Sequence, residues 1–450
     1  MRRAGFRPEA AAGTARYRFA CLGFAALLSL ALTASNPAAA ETVAIVHAQA
    51  WTMNDAAGGR IDDATILIVD GRFDSVQPHA APPSQARVID ARGRVVTPGL
   101  MSANTHLGLV EVSSLDETRD GGVENGPLGA AFDVQYALNA NSVLLPGVLA
   151  DGLTRAATSP TSASDAAFIG MGAVVRVIPG GDILDRARSA LYAAVGGGTA
   201  KKAGGSRSAQ WQLLRNAFEE AKVYAPKPGA GPRDQQQNAL NATALRAALD
   251  RRMPLVLQVA RESDIRQAVR VADDFGLPLI VLGGAEAWRC ADLLATHHAA
   301  VIIDPEADLP FDFDQLGVRS DAAALLQRAG VEIAFSVSGN TIALSHNAGA
   351  AVREGAGLAV ANGLPYAQAL RALTVAPARM FGIGDRYGRI ARGLDADLVV
   401  WSGDPLEPAS AADAVFVRGE AMNPVTRQSL LRGRYAPKNA GDAWPPAYRD

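Results

Sequence analysis

The sequence predicts an α/β chain: a (β/α)8 TIM barrel with a small β-sandwich domain formed from both ends of the mature chain. Three observations predict it. Residues 42–95 hold short β-rich runs separated by turn signals, residues 97–383 alternate apolar β runs with helical stretches, and a β pattern returns after Ile390. Strand–helix alternation at that spacing argues for a parallel sheet with helical crossovers. A segment of about 290 residues suits a barrel better than an open sheet. The expected boundaries are 1–40 for a signal peptide, 41–96 plus 386–440 for the β-sandwich domain, and 97–385 for the barrel.

The leader is read from its order of properties. Arg2, Arg3, Arg7, Arg16 and Arg18 form a basic region, residues 19–32 an apolar one, and Ala38, Ala39 and Ala40 offer small residues for cleavage before Glu41. The apolar run is short of the ~20 residues that span a bilayer, so export with cleavage is expected, to the periplasm or outside the cell. Cys21 sits at the start of the run rather than after it, which argues against a lipid anchor. The leader carries five arginines and one glutamate, a net of +4, so the chain's −2 becomes −6 after cleavage. That mild acidity, without pattern, gives no case for nucleic acid or a membrane surface as partner. Cys290 is then the single cysteine, so no internal disulfide can form.

The terminal β-domain rests on the runs Val43-Ala44-Ile45-Val46, Ala64-Thr65-Ile66-Leu67-Ile68-Val69 and Arg87-Val88-Ile89-Asp90, punctuated by Gly58-Gly59, Asp70-Gly71 and Arg92-Gly93. It is completed by residues 396–401 and 414–417. In the barrel, residues 254–260 precede a helix over 262–275, residues 278–282 precede one over 285–296, and residues 301–303 follow. Gly196-Gly197-Gly198 and Gly204-Gly205 beside Lys201 and Lys202 read as a surface loop, because no strand leads into them and no phosphate-loop pattern is present.

Residues 95–108, VVTPGLMSANTHLG, resemble the first-strand signature of the amidohydrolase superfamily, V-x-P-G-[LI]-x-[DN]-x-H-x-H-x-G. Residues 362–379, NGLPYAQALRALTVAPAR, and 388–401, GRIARGLDADLVVW, resemble the family's last barrel helix and the strand returning to the β-domain. The matches frame residues 95–401 and point to imidazolonepropionase-like or dihydroorotase-like metal-dependent hydrolases. In that signature two histidines two residues apart share one strand face and hold a metal that makes hydroxide available near neutral pH. Here the first is Asn104 and only His106 remains. Asp397 in such a match is expected to be a turn or cap residue.

The resemblance also implies histidines ending the fifth and sixth strands and a basic aspartate ending the eighth. Gln258 stands at the fifth, Leu282 and Gly283 at the sixth, and Val337 or Ser338 at the eighth. A carboxylated lysine on the fourth strand would fall near residues 173–177, which contain none. Amides are weak donors to zinc. No cofactor is therefore expected, a single divalent cation on Asn104 and His106 being the alternative. The candidate cavity residues are Asn104, His106, Gln258, Ser336, Ser338 and His346. His297 and His298 read as a pair at a helix C-terminus, and His47 and His79 fall in the β-domain. Glu111, Asp116, Glu117, Asp120 and Glu124 form an acidic loop, solvated or cation-binding, and Asp133 with residues 139–141 resembles a segment packed over the site. The family resemblance implies hydrolysis of carbon–nitrogen bonds. The missing ligands favour the alternative of a non-catalytic barrel that binds a small molecule, as a homo-oligomer or paired with an active paralogue, and a third reading is a scaffold with a filled cavity.

Overall fold

Two left-handed residues in a row, Asp70 (φ 50°) and Gly71 (φ 73°), make the tight turn that the twist of a hairpin favours. They join β2 (Arg60–Val69) to β3 (Arg72–Pro78), and β2 pairs antiparallel with β1 (Thr42–Trp51) on its other side. A Cβ on Gly71 would lie 2.5 Å from the Arg418 carbonyl oxygen, so both its φ and its close approach require glycine there. The structure, a computed structural model, describes residues 42–436 apart from 56–58, 162, 164–166, 225–236 and 338–344. The leader expected over residues 1–40 lies outside the described residues.

β1 changes neighbour along its length. Its first half pairs parallel with β4 (Arg87–Asp90) and its end with β5 (Val95–Pro98). Between them the register with β2 breaks beside His47, whose φ is 53°, and such a break bends a strand. The chain's far end completes this sheet, as the return of the β pattern predicts. β14 (Leu398–Trp401) pairs antiparallel with β5, and β15 (Ala412–Val417) and β16 (Glu420–Met422) extend the edge. Ile45, Ile66, Ile68, Val96, Leu398 and Phe416 share its core.

The second sheet is a nearly closed barrel of eight strands in sequence order: β6 (Leu100–Thr105), β7 (Leu153–Thr158), β8 (Phe168–Arg176), β9 (Leu184–Ala194), β10 (Leu255–Val259), β11 (Leu279–Gly283), β12 (Ala300–Ile303) and β13 (Ile333–Phe335). Helices follow β9 to β13 as the alternation predicts, for example Glu262–Phe275 after β10 and Ala348–Ala361 after β13. The first part departs from it, because β8 runs antiparallel to both neighbours. Residues 159–167 and 177–183 are the connections, shorter than the dozen or more residues a parallel crossover needs. The strand entering β10 in parallel is therefore β9, which corrects the expectation of a fourth strand near residues 173–177. β13 meets β6 through Ser336, whose Oγ donates to the Asn104 carbonyl at 3.0 Å.

Met101, Ala103, Ala157, Val174, Val256, Ile280 and Ala334 fill the barrel interior over a floor that includes Phe381 and Tyr387. Between barrel and terminal sheet lies an ionic cluster. The fully buried Arg155 pairs with Asp397, with Asp395 at 3.4 Å and with Asp185 at 3.3 Å. Arg386 reaches Asp185 at 2.8 Å and Arg176 reaches it at 3.1 Å. Asp397 caps the Arg418–Gly419 turn as expected, accepting from the Arg418 backbone N–H at 2.9 Å, and is in addition a buried ion-pair partner. Among the described residues no helix is long and apolar enough to cross a membrane.

Candidate functional site

A parallel barrel presents its strand ends, with the loops that follow, at one mouth. The sequence aims Asn104 and His106 there through a break in β6. Its register with β7 slips between Ser102 and Thr105, and a slip of one residue exchanges inward and outward positions. Met101 and Ala103 face the barrel core below the slip. Asn104 and His106 line the cavity above it.

That cavity has a volume of about 300 Å³. Ser159, Tyr192, Gln258, Leu282, Asp304 and Ser336 come to it from the ends of β7, β9, β10, β11, β12 and β13, and the inverted β8 contributes Ile169 near its start. Of the sequence candidates, Asn104, His106, Gln258 and Ser336 share this lining. His346 is exposed and is not part of it. Ser338 lies outside the described residues. Tyr192 and Asp304 went unnoticed in the sequence. Asp304 directly ends the apolar run Val301-Ile302-Ile303, a place where a strand delivers side chains to the mouth, so its signal was present.

The floor is polar, buried and uncharged. Asn104 Oδ1, His106 Nδ1 and the Tyr192 hydroxyl are buried without a hydrogen-bond partner in the protein, a rare condition for native polar groups. Desolvation lowers the His106 pKa to about 4, so the ring is neutral at pH 7. Burial likewise pushes the Tyr192 phenol up. Gly172 makes room for that ring: a Cβ there would come within 2.5 Å of Tyr192 Cε2. Ser336 is already spent on the Asn104 and Val337 carbonyls at 3.0 and 3.2 Å. At the rim, Asp304 accepts from the Glu306 N–H at 2.9 Å and Arg319 donates to Asp321 at 2.7 Å.

This donor set does not fit the metal that the family signature implies. A catalytic zinc commonly takes three nitrogen, sulfur or carboxylate ligands. The strand ends here give one imidazole, two amides, hydroxyls, aliphatic side chains and a single carboxylate, Asp304 at the rim, and among the described residues no three of His, Cys, Asp and Glu come together as a metal group. β9, the corrected fourth strand, ends in Tyr192, Ala193 and Ala194, with no lysine. The remaining histidines sit elsewhere: His47 on Asp90 at 3.0 Å, His79 on Asp63 at 2.7 Å, and His297, past a helix C-terminus, on Asp273 at 2.9 Å.

Two residues of the acidic loop hold chain near it. Glu111 accepts from Asn139 Nδ2, Ser142 Oγ and the Val143 N–H at 2.9, 3.1 and 3.0 Å, and Asp116 pairs with Arg119. Asp133 takes Arg188 Nε at 2.6 Å. In the glycine-rich loop the Gly197 N–H already donates to the Asp314 carboxylate at 2.7 Å.

Comparison with known proteins places these features. The model of the amidohydrolase family matches residues 95–426. Amidohydrolase tasK of Hapsidospora irregularis is 26% identical over 389 residues, covering 78% of this chain but only 38% of that relative. A solved amidohydrolase from Thermotoga maritima MSB8 is similar with a TM-score of 0.74 at 24% identity, over 85% of this chain and all of the other. A prolidase solved with N-methylphosphonate-L-proline is similar with a TM-score of 0.53 at 17% identity, over 85% of this chain and all of the other. At these identities the solved structures speak for the fold alone.

Proposed function

Because this chain belongs to the amidohydrolase family, we propose that it uses the family's barrel mouth to bind a small molecule and has lost metal-dependent hydrolysis of carbon–nitrogen bonds. The observation that carries the reading is the set of strand-end residues: Asn104, Gln258, Leu282, Gly283 and Val337 or Ser338 stand where the family resemblance implies ligands and a base. Neutral amides and aliphatic groups neither compensate a divalent cation nor take a proton from water.

Metal analysis and zinc titration of the purified protein test this. No stoichiometric metal and no submicromolar zinc site are expected in the wild type. Asn104→His together with Gln258→His, two residues lining one cavity with His106, should create such a site. A tight wild-type site lost on His106→Ala would return the chain to the second reading, a working carbon–nitrogen hydrolase, which family membership itself favours.

The chain spans about two fifths of the length of the tasK relative. Pairing with a catalytic paralogue is a further element of the proposal, and it rests on the residues that replace the ligands and base. Cross-linking in the native host tests this, and a chain captured only alone or with itself would count against it. Export to the periplasm or beyond is proposed on the leader's composition. N-terminal sequencing of protein from its own host should read from Glu41, and an intact Met1 would refute it.

A further inference from the structure

The three unpartnered groups at the floor of the barrel mouth specify more than a vacancy for some small molecule. Asn104 Oδ1 can only accept a hydrogen bond, the Tyr192 hydroxyl can donate or accept, and His106 Nδ1 does one or the other according to its tautomer. All three residues are more than nine-tenths buried, and none of the three atoms has a partner in the protein. A ligand head that satisfies them must offer a donor to Asn104 and either an acceptor or a second donor to the other two.

The charge of that head is constrained as well. The floor presents an amide, an imidazole and a phenol, while the charged side chains of the lining, Asp304 and Arg319, stand at the rim and are engaged there. A carboxylate head would offer no donor to Asn104 Oδ1, and it would surrender its hydration without meeting a countercharge at the floor. An ammonium head would lose its hydration in the same way and offer no acceptor. Desolvating an ion without such compensation costs far more than desolvating a neutral polar group. Above the floor Ile169, Leu282 and Ile302 on three strands form an apolar side of the wall that favours a hydrocarbon body, beside the polar Gln258, Asp304 and Arg319.

Resting on the reading of this mouth as a binding site, we propose that it selects an uncharged ligand carrying a hydrogen-bond donor and acceptor side by side on a compact apolar body, an amide being the simplest form. The amide N–H donates to Asn104 Oδ1. Its carbonyl accepts from the Tyr192 hydroxyl or the His106 ring N–H. The apolar body packs on Ile169, Leu282 and Ile302.

Three matched probes test this at pH 7: N-acetyl-leucinamide, which is neutral, N-acetyl-leucine, which is anionic, and leucinamide, which is cationic. Binding is followed by calorimetry and ligand-observed NMR on the mature protein. N-acetyl-leucinamide should bind and the two ions should bind at least tenfold more weakly. Tyr192→Phe should weaken the neutral probe about three- to tenfold, the worth of one neutral hydrogen bond. Asn104→Asp, which keeps the shape and adds a charge, should turn preference toward leucinamide. Circular dichroism confirms that each variant is folded. The proposal is overturned if N-acetyl-leucine binds as well as the neutral probe, if Tyr192→Phe leaves affinity unchanged, or if none of the probes binds at millimolar concentration. The same samples are assayed for cleavage of N-acetyl-leucinamide by water to N-acetyl-leucine and ammonia. Cleavage with stoichiometric metal would overturn the non-catalytic reading and leave the ligand class standing. Preference for a charged probe without cleavage would do the reverse.

Discussion

Around Arg155 each buried carboxylate faces a guanidinium, whereas at the barrel mouth Asn104, His106 and Tyr192 face no group of the protein. The first region is charged and closed. Asp185, Asp395 and Asp397 share Arg155, Arg176 and Arg386 within 4 Å, and the Tyr387 ring lies over the Arg155 guanidinium at 5.1 Å. The second region is neutral and incomplete. A buried polar group is costly unless partnered, so the closed cluster holds the terminal sheet to the barrel, while the open one carries a standing cost that a ligand can relieve. Both regions are polar and buried. In the first, even Arg155 Nε and Arg176 Nε, which make no well-formed hydrogen bond, lie 3.3 and 3.1 Å from Asp185, whereas the three atoms of the second face a cavity.

The largest expected effect breaks the closed region. Arg155→Met strands the buried Asp397, whose guanidinium partner is Arg155, while Asp185 and Asp395 keep Arg386, and it should cost about 3–5 kcal/mol of stability, read by urea denaturation. Adding Asp397→Asn to it should recover part of that loss, and strict additivity of the two changes would mean that they do not act on each other. A smaller effect is expected from the open region as pH falls. His106 is held at a pKa of about 4 in the fold, against about 6.5 in the unfolded chain. Between those values the unfolded state binds more protons, so stability declines as pH drops from about 6.5 to about 4 and the loss is complete below that window. The shift corresponds to about 3 kcal/mol. His106→Gln removes this contribution, so the difference between wild type and variant should change across the window. A constant difference would show that the ring is not desolvated.

How far the sequence reveals these regions depends on the range of the contacts involved. The terminal sheet was legible because its runs alternate and end in turn pairs such as Asp70-Gly71 and Arg92-Gly93. The later barrel strands were legible from their helices. The hairpin of β8 and β9 was not, because strands buried on both faces read as unbroken apolar runs and only the short connections betray their direction. Tyr192 was missed along with its strand. Asn104, His106 and Gln258 were legible as strand-end positions, but their lack of partners was not, since that depends on what eight strands bring together. The capping role of Asp397 was legible from its place before a strand, but its ion pair was not, for the same reason: its guanidinium partner lies 242 residues away in the chain.

One chemical deletion made in both regions gives the smallest expected effects and separates them most sharply. The Tyr387 hydroxyl sits in the closed region, 2.5 Å from the Gly99 carbonyl and 3.1 Å from that of Leu100, with Thr154 Oγ1 at 3.0 Å. Tyr387→Phe removes a donor that these buried groups need and should lower stability by about 1–2 kcal/mol. The Tyr192 hydroxyl has no partner in the protein. Tyr192→Phe removes a buried polar group at no loss of a protein hydrogen bond, and it should leave the ligand-free protein unchanged or more stable by up to about 1 kcal/mol. Denaturation of the two variants in parallel measures both. Opposite signs are expected from the same lost oxygen. A loss at Tyr192 equal to that at Tyr387 would mean that the mouth is satisfied in the free protein and has nothing to offer a ligand.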